Sequence, residues 1–593
     1  MSRTKRVLAV AITCLTAGLV YAGPVLESVP SDALLAAKVS DLRTTSGKIA
    51  KLSQDLGIAV FVPSLQDPLS TLKGQTRIQK GLKEDGELGF ALLRPTDGNG
   101  FPGMIVLIPI TSFADLLSNF PDAQVEGGVA EVTFPGNSRP SFLGDWGDYA
   151  ALSEVQNLVA TKPQQTLKPQ GVVGKDSRDQ DLFLYVNLSQ ISPDLQVALD
   201  QRLAREKNKL DEEFEGVPEK WRPVIRATVN QVFNVAKSFL RDADTASIGI
   251  NISDAGINFS VINEFKPQSY LGNAVASVKG TEKSLTTGLP NIKYLTFGGF
   301  STDPGPIAKI VDDLTRPILE ELDKVEGEEK AKALAQSLMS SIRSTKSSVV
   351  GVPSPTKIGQ EGIFQSVTIY RGSGKDLKST LDLGGELMAN LFKDIRARHA
   401  QDNPDTPVPL GDLIVTPNAR TVDGVTFDSL KMVPPQNPDD PAAMQMEMMM
   451  SLFYGSEGLN YSYAEVNGDF IWAQSASDET LSKFMTSLKA GQDPLSQLDH
   501  IKVVAAELPK VRVYESFIML DEFINTGIGV AGTFGMQVPV QLPPNLPPLG
   551  ISLGVDGSAI RINAHLPRKT IQQITSAAMQ VMMQMQGGGG GQL

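Results

Sequence analysis

Residues 289–314, LPNIKYLTFGGFSTDPGPIAKIVDDL, restart the text of residues 29–56, VPSDALLAAKVSDLRTTSGKIAKLSQDL. Pro290 falls on Pro30, and Gly305-Pro306-Ile307-Ala308-Lys309 on Gly47-Lys48-Ile49-Ala50-Lys51. Later landmarks return in the same order, which is the signature of an internal repeat. Asp115-Leu116 answers to Asp376-Leu377, Gly147-Asp148-Tyr149 to Gly468-Asp469-Phe470, and Asp181 to Leu188 to Tyr514 to Leu520. Gly249-Ile250-Asn251-Ile252 with Gly256 answers to Gly550-Ile551-Ser552-Leu553 with Gly557. The expectation is a duplicated unit, with domains at 23–283 and 284–586.

Working outward, each repeat is written in two local patterns. One is a short apolar run followed by a small oxygen-bearing residue and a helix start, as at Val39-Ser40-Asp41-Leu42, Ile110-Thr111-Ser112-Phe113, Val186-Asn187-Leu188-Ser189, Phe300-Ser301-Thr302-Asp303 and Met519-Leu520-Asp521-Glu522. A side-chain oxygen there accepts from the unpaired N–H groups of the first helical turn. The other is period-two alternation about a glycine bend, at Ile248 to Ile262 around Asp254-Ala255-Gly256 and at Leu549 to Leu566 around Asp556-Gly557. Such text predicts an antiparallel pair with one wet face. The fold class is therefore α+β: two tandem homologous units, largely antiparallel sheets layered against helices. Closing helices are expected over Ser269 to Val278 and Thr570 to Met585.

The two copies differ in length in two places. The offset grows from 261 (376 minus 115) to 321 (469 minus 148), so the second copy carries an insert near 380–455, including Asn403 to Pro409 and Pro434 to Met450. The first copy has an extra charged helical stretch, Arg202 to Glu215, whose opposite charges at helical spacing predict a solvated face. Gln541 to Pro548 (QLPPNLPP) predicts an extended connector, and the glycine-rich 587–593 a frayed tail.

Arg3, Lys5 and Arg6, the apolar run Val7 to Val20 and the small residues Val20 and Ala22 read as a secretory signal over residues 1–22. Its removal takes the only cysteine, Cys14, so no disulfide is expected. It also leaves 51 Lys+Arg against 66 Asp+Glu. That acidic balance argues against nucleic acid, and no other run approaches the length that spans a bilayer.

No cofactor or metal motif stands out. His399, His500 and His565 lie far apart in sequence, which gives no histidine metal spacing, and there is no G-x-S-x-G elbow. Gly527-Ile528-Gly529-Val530-Ala531-Gly532 spells G-x-G-x-x-G, but the glycines are expected to follow a helix over Asp521 to Asn525 rather than join a strand to one. Gly372-Ser373-Gly374-Lys375 lacks the rest of a phosphate loop and reads as a turn. The candidate ligand or partner surface is the methionine run Met444, Met446, Met448, Met449 and Met450, with a second cluster at Met579, Met582, Met583 and Met585. Trp146 and Trp472, which flank the matched Gly-Asp-aromatic positions, are candidate stacking platforms.

With the signal, the Pro30 to Leu42 start, the Thr111-Ser112-Phe113-Ala114-Asp115-Leu116-Leu117 helix and the final Pro547 to Gly557 strand and turn, the chain resembles large secreted bacterial proteins known only as domains of unknown function. That resemblance implies export and architecture and carries over no catalytic residue. Three functions are open: a non-enzymatic binding or scaffold protein of the cell envelope, a carrier of an apolar ligand or lipid, and a hydrolase whose triad is invisible in sequence.

Overall fold

A computed structural model describes residues 25–587 except 95–102, 137–138, 214–217, 302, 359–360, 403–410, 434–440, 456–457, 537 and 539. The expected signal, the turn-rich 403–409, the stretch 434–440 and the tail beyond Gly587 lie outside the described residues. The chain forms two compact units. The first comprises residues up to Gln201, Lys237–Asn273 and Asp556–Met579, and the second Arg202–Ala236, Ala274–Val555 and the residues from Gln580. Neither unit is contiguous in sequence, whereas a division at 283/284 would make both so.

The first unit begins with β1 (Leu35–Val39), α1 (Leu42–Asp55), α2 (Pro68–Thr76), β2 (Leu88–Leu92), β3 (Met104–Pro109) and α3 (Phe113–Leu117). Strands β4 (Gln124–Glu126), β5 (Val129–Val132), β6 (Ser141–Asp145) and β7 (Tyr149–Ser153) follow, then α4 (Gly171–Asp179), β8 (Leu182–Asn187), α5 (Leu188–Glu213), α6 (Arg222–Asp242), β9 (Ala243–Ile252), β10 (Gly256–Phe265) and α7 (Tyr270–Ser277), of which α5 from Arg202, α6 to Ala236 and α7 from Ala274 count with the second unit. All pairings are antiparallel and the order is β4-β5-β6-β7-β3-β2-β1-β8-β9-β10.

The second unit contains β11 (Tyr294–Ser301), α8 (Pro304–Asp323), α9 (Glu329–Ser344), β12 (Ser347–Pro353), β13 (Ser366–Arg371), α10 (Gly374–Asp402), β14 (Asp412–Val422), β15 (Val425–Val433) and α11 (Pro441–Tyr454). It continues with β16 (Asn460–Val466), β17 (Asp469–Gln474), α12 (Asp478–Ala490), α13 (Asp499–Ala505), β18 (Tyr514–Ile518), α14 (Leu520–Thr533) and β19 (Leu549–Asp556). Its order, again antiparallel throughout, is β14-β15-β16-β17-β13-β12-β11-β18-β19. The last strand, β20 (Ala559–Pro567), pairs with β10 and so extends the first unit's sheet, and α15 (Arg568–Gly587) ends the described chain.

Three of the expected joints are capped as the sequence predicts. Asp41 accepts from the N–H groups of Arg43 and Thr44, Ser112 from that of Asp115, and Asp303 from that of Gly305. The fourth, Asn187-Leu188-Ser189, runs from β8 straight into α5. The joint at Met519 differs. Asp521 and Glu522 sit inside the first turn of α14, and both turn their carboxylates to other partners.

The glycine run is a further correction: α14 does not stop at Asn525 but runs on to Thr533, so Gly527, Gly529 and Gly532 are helical. Gly529 has a packing reason, since a Cβ there would come 2.4 Å from Ile358 Cδ1. The insert resolves into the 29-residue α10, the long β14–β15 hairpin and α11, and the first unit's extra length into α5 and α6.

The second unit has a dry core on one side of its sheet, and the first has one on each side, since Leu107 and Val106 of β3, and Ala151 and Ala150 of β7, enter different clusters. In the second it gathers Phe297, Phe427, Ile471, Phe484, Ile501 and Phe517, nearly all sealed from solvent. In the first, one cluster centres on Ala36, Leu107, Tyr149 and Phe183 and another on Leu42, Leu116 and Leu143. No helix among the described residues is long and apolar enough to cross a membrane.

Candidate functional site: an accessible apolar sheet face and a polar cleft

Strand pairing fixes which side chains stand side by side, because successive residues point to opposite faces. In the first unit, β8, β9, β10 and β20 align the rows Leu182–Ile250–Phe259–Ala564, Leu184–Ile248–Val261–Ile562 and Val186–Ala246–Asn263–Ile560. Asn263 is the only polar residue among them. A further pair, Ile257 and Leu566, extends the patch toward the β9–β10 bend.

These side chains are on the accessible face. None of them is buried, and Ile248, Phe259 and Ile562 are 45%, 36% and 40% exposed. The buried face of the same strands mixes Phe183, Tyr185 and Ile262 with Ser247, Gly249 and Ser260, the two serines being only 1% and 2% exposed.

Helix α4 packs on the buried face, against β9 and β10. Asp176 in α4 accepts from Ser260 Oγ at 2.7 Å and from Arg561 at 2.8 Å, and Gln180 just beyond it lies where a Cβ on Gly249 would collide. A buried polar group is costly without partners; α4 supplies one to Ser260, while Ser247 Oγ has none. The alternation is therefore real, but the more accessible face is apolar as well as the buried one.

Singly exposed apolar residues need no explanation, but a contiguous apolar sheet face does. At about 4.8 Å between strands and ~3.3 Å per residue, three rows across four strands and the further pair cover on the order of 200 to 300 Å². The patch is flanked at both ends. At the β9–β10 bend, Lys51 of α1 and Arg568 of α15 both pair with Asp254, and Met579 of α15 lies against Gly57. At the far end, Phe239 of α6 meets Phe265 edge-on, with ring centres 5.6 Å apart.

The amphipathic helices are incompletely buried too. Asp242 is the only buried residue of α6, and Val232, Val235 and Phe239 are exposed along it. In the second unit the pattern recurs. Leu549, Ile551, Leu553 and Val555 of β19 are half-buried while Gly550, Ser552 and Gly554 between them are buried, and Leu322 is the only buried residue of α8.

The second unit also holds a polar cleft of about 540 Å³ lined by Lys293, Ser354, Glu522, Asn525, Thr526 and the Gln541–Pro544 stretch, with a smaller 210 Å³ cleft adjoining it. Glu522 accepts from Lys293 Nζ at 2.6 Å and from Ser354 Oγ at 3.1 Å. Asn525 clamps the backbone of Leu542 through both its amide groups, at 3.0 and 2.9 Å, and Asp521 accepts from the Leu546 N–H at 3.1 Å. The proline-rich connector is thus strapped across the cleft. Burial pushes the Asp521 carboxyl above its ordinary value, and burial pulls the His500 imidazole below its own.

The sequence-predicted residues are placed as follows. Trp146 is buried and donates from Nε1 to the Val159 carbonyl at 3.0 Å, which gives it a structural role. Trp472 is half-buried, with its ring 4.7 Å from that of Tyr461. Met448 and Met449 are exposed on α11 and Met450 is half-buried, while the side chains of Met444 and Met446 lie outside the described residues.

The end of α11 stacks Phe453 on Phe364 at 5.4 Å, and Gln474, two residues from Trp472, donates to the Phe364 carbonyl. The methionine helix and Trp472 therefore share one corner of the second unit, and Trp146 belongs to the other unit. The described residues contain no group of three or more His, Cys, Asp or Glu arranged to hold a metal ion. No family model, curated protein or solved structure matches this chain.

Proposed function

We propose that the chain is an exported, non-enzymatic binding protein that carries a lipid or another long-chain apolar ligand on the accessible face of β8, β9, β10 and β20. The observation that carries this reading is that the less buried side of that sheet is lined almost entirely by isoleucine, leucine, valine, alanine and phenylalanine, although its other side already holds the buried Phe183, Tyr185 and Ile262. Leaving such an area in water forfeits about 25 cal/mol per Å², a cost a fold retains where something else covers the surface. Most of the row residues are half-buried, so a flexible hydrocarbon chain laid over them completes a burial the fold has only begun.

Export rests on the basic, apolar and small-residue pattern of residues 1–22, and a cysteine-free mature chain fits that route. We also take the two units as copies of one ancestral unit. In support, both sheets follow the same order from the first strand outward. Gly147 and Gly468 occupy the same bend of corresponding hairpins with the same φ of 86°, and the paired landmarks fall on corresponding elements. The resemblance to secreted bacterial proteins of unknown function belongs to this reading.

The test is organic-solvent extraction of protein purified without detergent, followed by mass spectrometry of the extract. The expected result is a stoichiometric long-chain lipid or similar apolar molecule. A clean extract from a protein that also takes up no added fatty acid sinks the reading and favours an envelope scaffold.

A further inference from the structure

The polar cleft of the second unit carries a separate inference. Its two lobes meet at Lys293 and Glu522, which line both. Two consecutive carboxylates, Asp521 and Glu522, stand at this junction, and the only cation among the residues lining it is Lys293. The Lys293 ammonium reaches in from a largely exposed side chain to Glu522 Oε1 at 2.6 Å. Asp521 is fully buried; its Oδ2 takes the Leu546 N–H, but its Oδ1 is sealed from solvent with no hydrogen-bond partner. A buried carboxylate oxygen without a partner is costly and calls for a compensating charge. His500 in the same lobe does not supply it, since burial favours its neutral form. Ile292, Phe297, Leu498, Ile501 and Met519 form an apolar side of this lobe, alongside the polar Asn291, His500 and Asn545.

We propose that the joined clefts bind a small primary ammonium ligand with a short apolar tail, its nitrogen against Glu522 beside Asp521 and its tail over Ile292, Phe297 and Leu498. Lys293 then acts as an internal stand-in, holding the ammonium position until the ligand displaces it. The inner lobe, at 210 Å³, has the volume of about seven liquid waters at ~30 Å³ each, which suits a butyl- or hexyl-ammonium ion. This site shares no residue with the apolar face of the first unit, so either proposal can fail alone.

The experiment is a thermal-shift and calorimetric titration of the full chain with n-butylammonium and n-hexylammonium chloride. Butanol, hexanol and sodium chloride serve as matched controls. The amines are expected to raise the melting temperature saturably while the alcohols and salt do not. Lys293→Ala should tighten amine binding at least threefold, because it removes the competing cation, and Glu522→Gln should abolish it. Should Glu522→Gln fail to fold, Lys293→Ala decides alone, since that side chain is largely exposed. Equal effects of alcohols and amines, or amine binding that is unchanged or weakened in Lys293→Ala, overturn the proposal.

Discussion

Replacing Ile248 by aspartate separates a ligand-covered face from an ordinary core. Ile248 is 45% exposed on a central strand, between Leu184 of β8 and Val261 of β10. A fully buried isoleucine is worth about 1.5–3 kcal/mol. With roughly half of that burial present, the substitution should cost the fold about 1–1.5 kcal/mol and lower the melting temperature by a few degrees.

In the bound state the same carboxylate would face hydrocarbon, where an uncompensated charge costs several kcal/mol. At about 1.4 kcal/mol per decade, affinity for a fluorescent fatty acid should then fall at least ~100-fold. The unmutated face offers on the order of 200 to 300 Å², or roughly 5 to 7 kcal/mol of gross burial. Against an association cost of ~4 kcal/mol or more, and with the ligand's own surface added, that predicts roughly micromolar binding. The assay is probe titration beside a melting curve, with Ile562→Asp as a second variant and Ser260→Ala as a control on the dry side that should keep probe affinity. A folded Ile248→Asp protein with probe affinity within about threefold of the parent refutes the reasoning. So does outright unfolding, which would place Ile248 in a sealed core.

Other outcomes follow from particular contacts. Asn525→Ala removes both hydrogen bonds to Leu542. It should cost about 1–3 kcal/mol and speed proteolysis within Val540–Pro548, and an unchanged digestion rate would show that the strap is held by other means. Because burial raises the folded-state value of Asp521, its contribution is fully present below the unfolded carboxyl value and is lost as pH rises through the folded one. Asp521→Asn, which still offers an acceptor to Leu546 while Glu522 and His500 remain beside it, should therefore raise stability at neutral pH with a gain that vanishes in acid. Denaturant melts across pH would contradict this if the gain were flat. Gly144→Ala puts a Cβ 1.9 Å from the Val159 carbonyl oxygen, so a backbone segment must move; overpacking typically costs 1–3 kcal/mol, and a neutral substitution would mean that this approach is looser than described.

Local chemistry made several parts of the fold readable in advance. Asp41, Ser112 and Asp303 cap because a short side-chain oxygen before an apolar stripe has a free N–H to meet. The bends at Gly256 and Gly468 were visible because few other residues adopt those backbone angles. Alternation over Ile248 to Ile262 correctly grouped Ile248, Ile250, Phe259 and Val261 on one face. It could not say which face the chain would cover, since that depends on α4 delivering Asp176 to Ser260, 84 residues away.

The cleft was hidden for the same reason, because Lys293 and Glu522 meet across 229 residues. At Met519 the strand-to-helix pattern was right but the capping role was not, as Asp521 and Glu522 serve the cleft rather than the helix start. The glycines of α14 look like a break in isolation, yet the helix runs through them, and only Gly529 has a close neighbour, Ile358.

Photo-crosslinking with a diazirine-bearing fatty acid, followed by peptide mapping, locates the ligand directly. The account predicts adducts concentrated on residues 182–186, 248–261 and 560–564, competed away by unlabelled fatty acid and lost in Ile248→Asp. Adducts confined to exposed apolar residues elsewhere, such as Phe61 or Met449, or labelling that excess fatty acid does not reduce, would contradict it.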